Sequence, residues 1–103
     1  MLTIQDITED HLDLMHVIQQ DNKVSQRKIA QQTGISIGKI NYCLKALIDI
    51  GFVKIENFNN SSQKLSYAYI LTPKGIKEKT SITKKFINLH KQEYDKLSSY
   101  ITK

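Results

Sequence analysis

The sequence predicts a mainly α-helical fold with one small antiparallel β-hairpin and a long C-terminal helix. Three observations carry this. Residues 36–51, SIGKINYCLKALIDIG, place Ile40, Leu44, Leu47 and Ile48 in one helical stripe. Two runs rich in β-branched and aromatic residues, 52–58 and 65–71, flank a polar stretch of Asn, Ser, Gln and Lys. After Pro73, Ile76, Thr80, Thr83, Ile87, His90, Tyr94, Leu97 and Ile101 recur in steps of four and three, the period of a coiled-coil seam.

A chain of 103 residues, 40% apolar and 24% charged, has the size and composition of one soluble globular domain. No window approaches the roughly 18 apolar residues of a membrane span. The N-terminus lacks the basic-then-apolar pattern of a secretory signal, so a cytoplasmic location is expected. Cys43 is the only cysteine. It cannot form an internal disulfide, which fits a reducing compartment. It reads as a small buried apolar residue, with redox sensing as the lesser alternative.

The net charge of +5 is unevenly spread. Residues 1–22 hold Asp6, Glu9, Asp10, Asp13 and Asp21 and no Lys or Arg, a charge of −5. The rest carries all 15 basic side chains and five acidic ones, a charge of +10. Such separation suits a polyanion partner, because a clustered basic face attracts phosphates.

In chain order, the first helix starts near Thr8. Thr8 can cap it, Glu9 and Asp10 suit the positive end of its dipole, and Ile7 can staple to Leu12. Leu12, Leu14, Met15, Val17 and Ile18 supply its apolar side. Asp10, His11, Asp13 and His16 are ligand types, but His11 and Asp13 stand two apart and do not face each other on a helix. No metal site is expected there.

Ser25 caps a second helix over Gln26–Gln32, with Ile29 and Ala30 inward. Lys28 takes the third helical position, where Glu or Gln would complete a capping box. A nearby phosphate would compensate. Thr33, Gly34 and Ile35 form the turn, with Gly34 suited to positive φ. Ser36 caps the organising helix and Gly51 stops it. Gly38, inside that helix, costs about 0.5–1 kcal/mol. It is explained either by a tight crossing with the preceding helix or by close approach to DNA.

The hairpin follows, with residues 59–64 at its tip. Thr72 then caps the last helix and Pro73 takes its first position. At roughly 28 residues that helix would span about 42 Å, too long for this domain to cover. Its seam is therefore expected to pack on a second copy.

Helix, short turn, helix and hairpin make the layout of a winged helix-turn-helix, whose second helix enters the major groove. The expected division is a winged helix-turn-helix domain over 1–73 and a dimerisation helix over 74–103. Backbone contacts are expected from Ser25, Lys28, Lys39, Lys45 and the wing lysines Lys54 and Lys64. Asn41 has the geometry to pair with adenine, and Lys39 to reach guanine acceptors. Tyr42 is open to three readings: a phosphate hydrogen bond, packing on a thymine methyl or sugar, or cover for the core edge. No nucleophile, acid–base constellation, phosphate-cradling loop or cofactor motif is evident, so no enzyme activity and no cofactor are expected.

The segments SQRKIAQQTGIS, GKINYCLKALIDIGFVKI and YAYILTPKGI resemble the MarR family of winged helix-turn-helix transcriptional regulators. Within it, NYCLKALI and LTPKG are similar to a short subset associated with bacterial exopolysaccharide (EPS) gene clusters. The resemblance covers residues 8–100. It implies a homodimer on double-stranded DNA, with Ser36, Gly38, Lys39, Asn41, Tyr42 and Lys45 toward the major groove. It also implies a wing tip in the minor groove and Ile76, Thr80, Thr83, Ile87, His90, Tyr94, Leu97 and Ile101 at the dimer contact. Two departures stand out. Many family wings carry an arginine, often after aspartate, whereas this tip is NNSSQK, leaving Lys64 or Asn60 to substitute. Many relatives also have a longer N-terminal helical region that helps build a small-molecule pocket; here the leading segment is short, and a small-molecule effector stays open. The competing class is a winged-helix protein-interaction adaptor that does not bind DNA.

Overall fold

Thr8 opens the first helix, as its position before Glu9 and Asp10 predicts. The computed structural model describes residue 3, residues 6–59 and residues 65–102. The order is α1 (Glu9–Gln20), α2 (Gln26–Thr33), α3 (Ile37–Asp49), β1 (Val53–Asn59), β2 (Leu65–Leu71) and α4 (Pro73–Ser99). This is the mainly α-helical winged architecture expected.

Local signals place the boundaries. Ser25 Oγ accepts from the Lys28 N–H and Ser36 Oγ from the Lys39 N–H, at 3.1 and 3.2 Å, so both serines cap their helices. Gly34 ends α2 at φ 77° and Gly51 follows α3 at φ 88°, a region that glycine enters without a Cβ penalty. Thr72 Oγ1 accepts from the Gly75 N–H at 3.0 Å, and Pro73 needs no donor at the first helical position.

The core is built from Leu14, Met15 and Ile18 of α1, Ile29 of α2, and Ile40, Cys43, Leu44 and Leu47 of α3. Phe52, Val53, Leu71 and Ile82 close it. Ile35 packs on its edge, reaching back from the turn. Phe52 precedes β1 and is fully buried, and so is its neighbour Val53, whereas Ile55 is largely open. Strand alternation alone would not bury two neighbours; the bend at Phe52 does so.

β1 and β2 pair antiparallel, with Val53 opposite Leu71 and Asn59 opposite Leu65. The Tyr69 N–H donates to the Asn22 carbonyl at 3.0 Å, and Gln26 Nε2 donates to the Tyr69 hydroxyl at 3.1 Å. These bonds fix the hairpin base against the α1–α2 turn.

α4 runs antiparallel along α1. Lys79 Nζ donates to Gln19 Oε1 and His16 Nδ1 at 2.6 and 3.0 Å. Further along, His90 Nε2 donates to Glu9 Oε1 at 2.8 Å. Gly75, Ile82 and Phe86 face the domain. Residues 91–97 are all exposed, and the molecule measures 65 × 26 × 23 Å. Among the described residues, no helix is long and apolar enough to cross a membrane.

Candidate nucleic-acid interface

α3 is divided lengthwise. Ile40, Cys43, Leu44 and Leu47 are buried, while Ser36, Ile37, Gly38, Lys39, Asn41, Tyr42 and Lys45 are exposed. Ser25 and Lys28 are exposed at the start of α2. Tyr42 is 71% exposed, so it does not cover the core edge. Asn60 and Lys64 lie outside the described residues.

The capping serines retain useful chemistry. Each spends a lone pair on its own helix, and the hydroxyl proton stays available for an acceptor such as phosphate. Neither α2 nor α3 has an acidic side chain in its first turn. The positive ends of both helix dipoles are thus left for an outside anion.

Gly38 corrects one of the two explanations given to it. A β-carbon there would meet nothing within 4 Å, so no tight helix crossing requires glycine. Ile37 is the residue that sequence reasoning missed. It stands three positions before Ile40, so spacing alone would place it in the apolar stripe, yet it is 49% exposed. An open apolar side chain at the first position of such a helix suits a thymine methyl. Arg27 is also exposed in the first turn of α2.

Lys39 is not a free cation. Its Nζ lies 2.8 Å from Asp10 Oδ2 of α1, and that hydrogen bond holds the ammonium pKa above its ordinary value. Beside this pair, His11 is buried. The Thr8 N–H donates to His11 Nδ1 at 3.0 Å, giving histidine the position that Glu or Gln holds in a capping box. Its Nε2 is buried with no hydrogen-bond partner among the described residues. Burial lowers the His11 pKa, Lys39 lowers it further and Asp10 opposes them. Burial also pushes the Cys43 thiol up, the reverse of a reactive thiolate.

The expected dimer seam is open along most of its length. Ile76, Thr80, Ile87, His90, Tyr94, Leu97 and Ile101 are exposed, and Thr83 is half-buried. A cleft of about 560 Å³ lies between α1, the end of α2 and α4, lined by Leu12, Asp13, His16, Val17, Gln32, Thr33, Lys79 and Thr83. No cluster of three metal-ligating side chains occurs among the described residues.

A family model described as winged helix-turn-helix DNA-binding matches residues 11–54. No curated protein matches the chain. Solved structures do. A MarR/EmrR family transcriptional regulator from Acinetobacter sp. ADP1 is 19% identical over 86% of this chain, with a TM-score of 0.63; the chain spans 61% of that protein's length. The smu.1704 protein of Streptococcus mutans UA159 is 17% identical over 86% of this chain and 85% of its own, with a TM-score of 0.70. Streptococcus pneumoniae FabT, solved in complex with DNA, is 19% identical over 96% of this chain and 65% of its own, with a TM-score of 0.55. The chain therefore has a winged helix-turn-helix fold like that of the MarR/EmrR family regulator.

Proposed function

We propose that this chain is a sequence-specific double-stranded DNA-binding transcriptional regulator that acts as a homodimer. The observation that carries the reading is the open face of α3. It presents Ile37, Gly38, Asn41, Tyr42 and Lys45 to solvent while the opposite face is sealed in the core. Such a face offers an apolar contact, an amide pair, an aromatic ring and a cation to base edges and phosphates. Ser25, Lys28 and Ser36 contact the backbone, and Asn60 and Lys64 of the wing extend the contact. The fold shared with a FabT structure solved on DNA supports the same reading.

The homodimer reading is supported by α4. At 27 residues it is about 40 Å long, and its second half carries Ile87, Tyr94 and Leu97 in the open, with Ile101 exposed just beyond its end. An apolar stripe of this kind is covered in a working protein, and its coiled-coil spacing suits a second copy. The regulator works in the cytoplasm, on the nucleoid. Control of exopolysaccharide genes rests on the resemblance of NYCLKALI and LTPKG alone.

The test is an electrophoretic mobility shift with genomic fragments across a salt series, followed by footprinting at promoters neighbouring the gene. Salt-sensitive retention with a protected palindrome supports the reading. Absence of any DNA binding would leave the adaptor class instead.

A further inference from the structure

We propose that Asp10 is a positioning residue for DNA binding: its carboxylate holds the Lys39 ammonium in the manner of a DNA phosphate and withholds that charge from the duplex. The inference rests on the DNA-binding reading above. Lys39 lies in the first turn of α3, on its exposed side, where a backbone phosphate would approach. Asp10 lies in the first turn of α1, where the helix dipole favours a carboxylate. The two meet at 2.8 Å, with the lysine side chain 57% and the aspartate side chain 31% exposed. Asp10 is thus the more anchored partner. The preceding residue, Glu9, accepts from His90 of α4 at 2.8 Å. The first turn of α1 is thereby held between the long helix and the recognition helix.

The consequence is one of exchange. A phosphate that engages Lys39 must displace a carboxylate already bound there, so one anion replaces another. An unpaired lysine instead exchanges solvent for phosphate and releases a condensed counterion from the DNA. Lys45 has no ion pair among the described residues and stands as the comparison. The acidic N-terminal segment thus subtracts one positive charge from the face it adjoins, and the subtraction is reversible.

The experiment uses fluorescence anisotropy of the full chain with a random-sequence 30-base-pair duplex across a KCl series. Wild type, D10N, K39Q, the D10N/K39Q double variant and K45Q are compared. One added phosphate contact steepens the log–log salt slope by about 0.9, which corresponds to about three- to tenfold tighter binding at low salt. D10N is expected to show both changes, and the double variant to match K39Q. An unchanged or weaker D10N overturns the proposal. So does a D10N gain that survives in the K39Q background, since that would be a general charge effect. Thermal melting checks that D10N is folded, and Asp10→Ser, also suited to a first helical turn, repeats the measurement. If wild type binds and K45Q weakens it while D10N changes nothing, only this inference falls. If wild type does not bind the duplex, the DNA-binding reading falls and takes this one with it.

Discussion

Gly75 lies directly against the backbone of Phe52: a β-carbon placed there would overlap the Phe52 carbonyl oxygen. That oxygen also accepts from the Thr72 N–H at 3.0 Å, and Thr72 Oγ1 donates to the Gly51 carbonyl at 2.6 Å. Lys74 Nζ donates to the Ile50 carbonyl at 3.1 Å and sits 5.6 Å from the centre of the Phe52 ring. The start of α4 is therefore tied to the backbone of the α3–β1 turn. Gly75→Ala must separate them, and overpacking of this kind costs about 1–3 kcal/mol. For a chain of this size, each kcal/mol lowers Tm by roughly 4–8 °C. A circular dichroism melt measures it, and an unaltered Tm would refute the close crossing.

Gly38→Ala has the opposite expected sign for stability. The site has open space around it, and alanine favours a helix over glycine by about 0.5–1 kcal/mol. The melt should rise by a few degrees. DNA affinity should fall, because the added methyl stands between the helix and an approaching backbone. A rise in Tm with unchanged affinity would remove Gly38 from the interface.

Two histidines give opposite pH responses. His11 is held below its ordinary pKa by burial, so the unfolded chain binds the proton more readily. Its stability contribution is complete above about pH 6.5 and declines as pH falls through the lower folded value. His90 is held above its ordinary pKa by the Glu9 hydrogen bond. Its contribution is complete below about pH 6.5 and is lost as pH rises through the folded value. His11→Gln keeps an acceptor at the capping position and should flatten the acid limb of a denaturation series. His90→Gln should flatten the neutral limb, and an unchanged pH profile in both variants would refute the assignments.

Much of the fold was legible because its signals are local. Thr8, Ser25, Ser36 and Thr72 announce four helix starts within a few residues of each helix, and Gly34 and Gly51 announce two stops. The buried side of α3 followed from spacing, since Ile40, Leu44 and Leu47 return to one face every three or four residues. What was not legible depends on partners distant in sequence. Asp10 meets Lys39 and Glu9 meets His90 only once α1 is packed between α3 and α4. Nothing local marks Gly75, two residues after Pro73, and its reason lies on Phe52. Gly38 was the glycine that stood out in the sequence, yet a β-carbon there meets nothing among the described residues. Ile37 had the right chemistry for the core and the wrong position.

Asn41 and Lys45 share the exposed side of α3 but should fail differently. A bidentate amide pair reads one base, so Asn41→Ala should flatten preference at one base pair by about 1–3 kcal/mol. A phosphate contact carries no sequence information, so Lys45→Gln should weaken all duplexes alike and reduce the salt slope by about 0.9. Selection from a random duplex pool followed by sequencing separates the two. Unchanged preference in the Asn41 variant would disqualify it as a base reader.

Leu97 and Ile82 carry similar apolar side chains on the same helix, yet only one faces its own domain. Ile82 is 3% exposed and Leu97 is 53% exposed. Ile82→Glu puts a carboxylate into the core, where an unpaired charge is strongly disfavoured, and should unfold the chain. Leu97→Glu places the same charge on the open stripe. A monomer would tolerate it, whereas two copies packed along that stripe would bring two carboxylates into one desolvated contact. Sedimentation velocity should therefore show a dimer for wild type and a folded monomer for L97E, with DNA affinity falling because the two recognition helices are no longer joined. A wild-type chain that sediments as a monomer, or an L97E dimer, would show that this stripe does not join two copies.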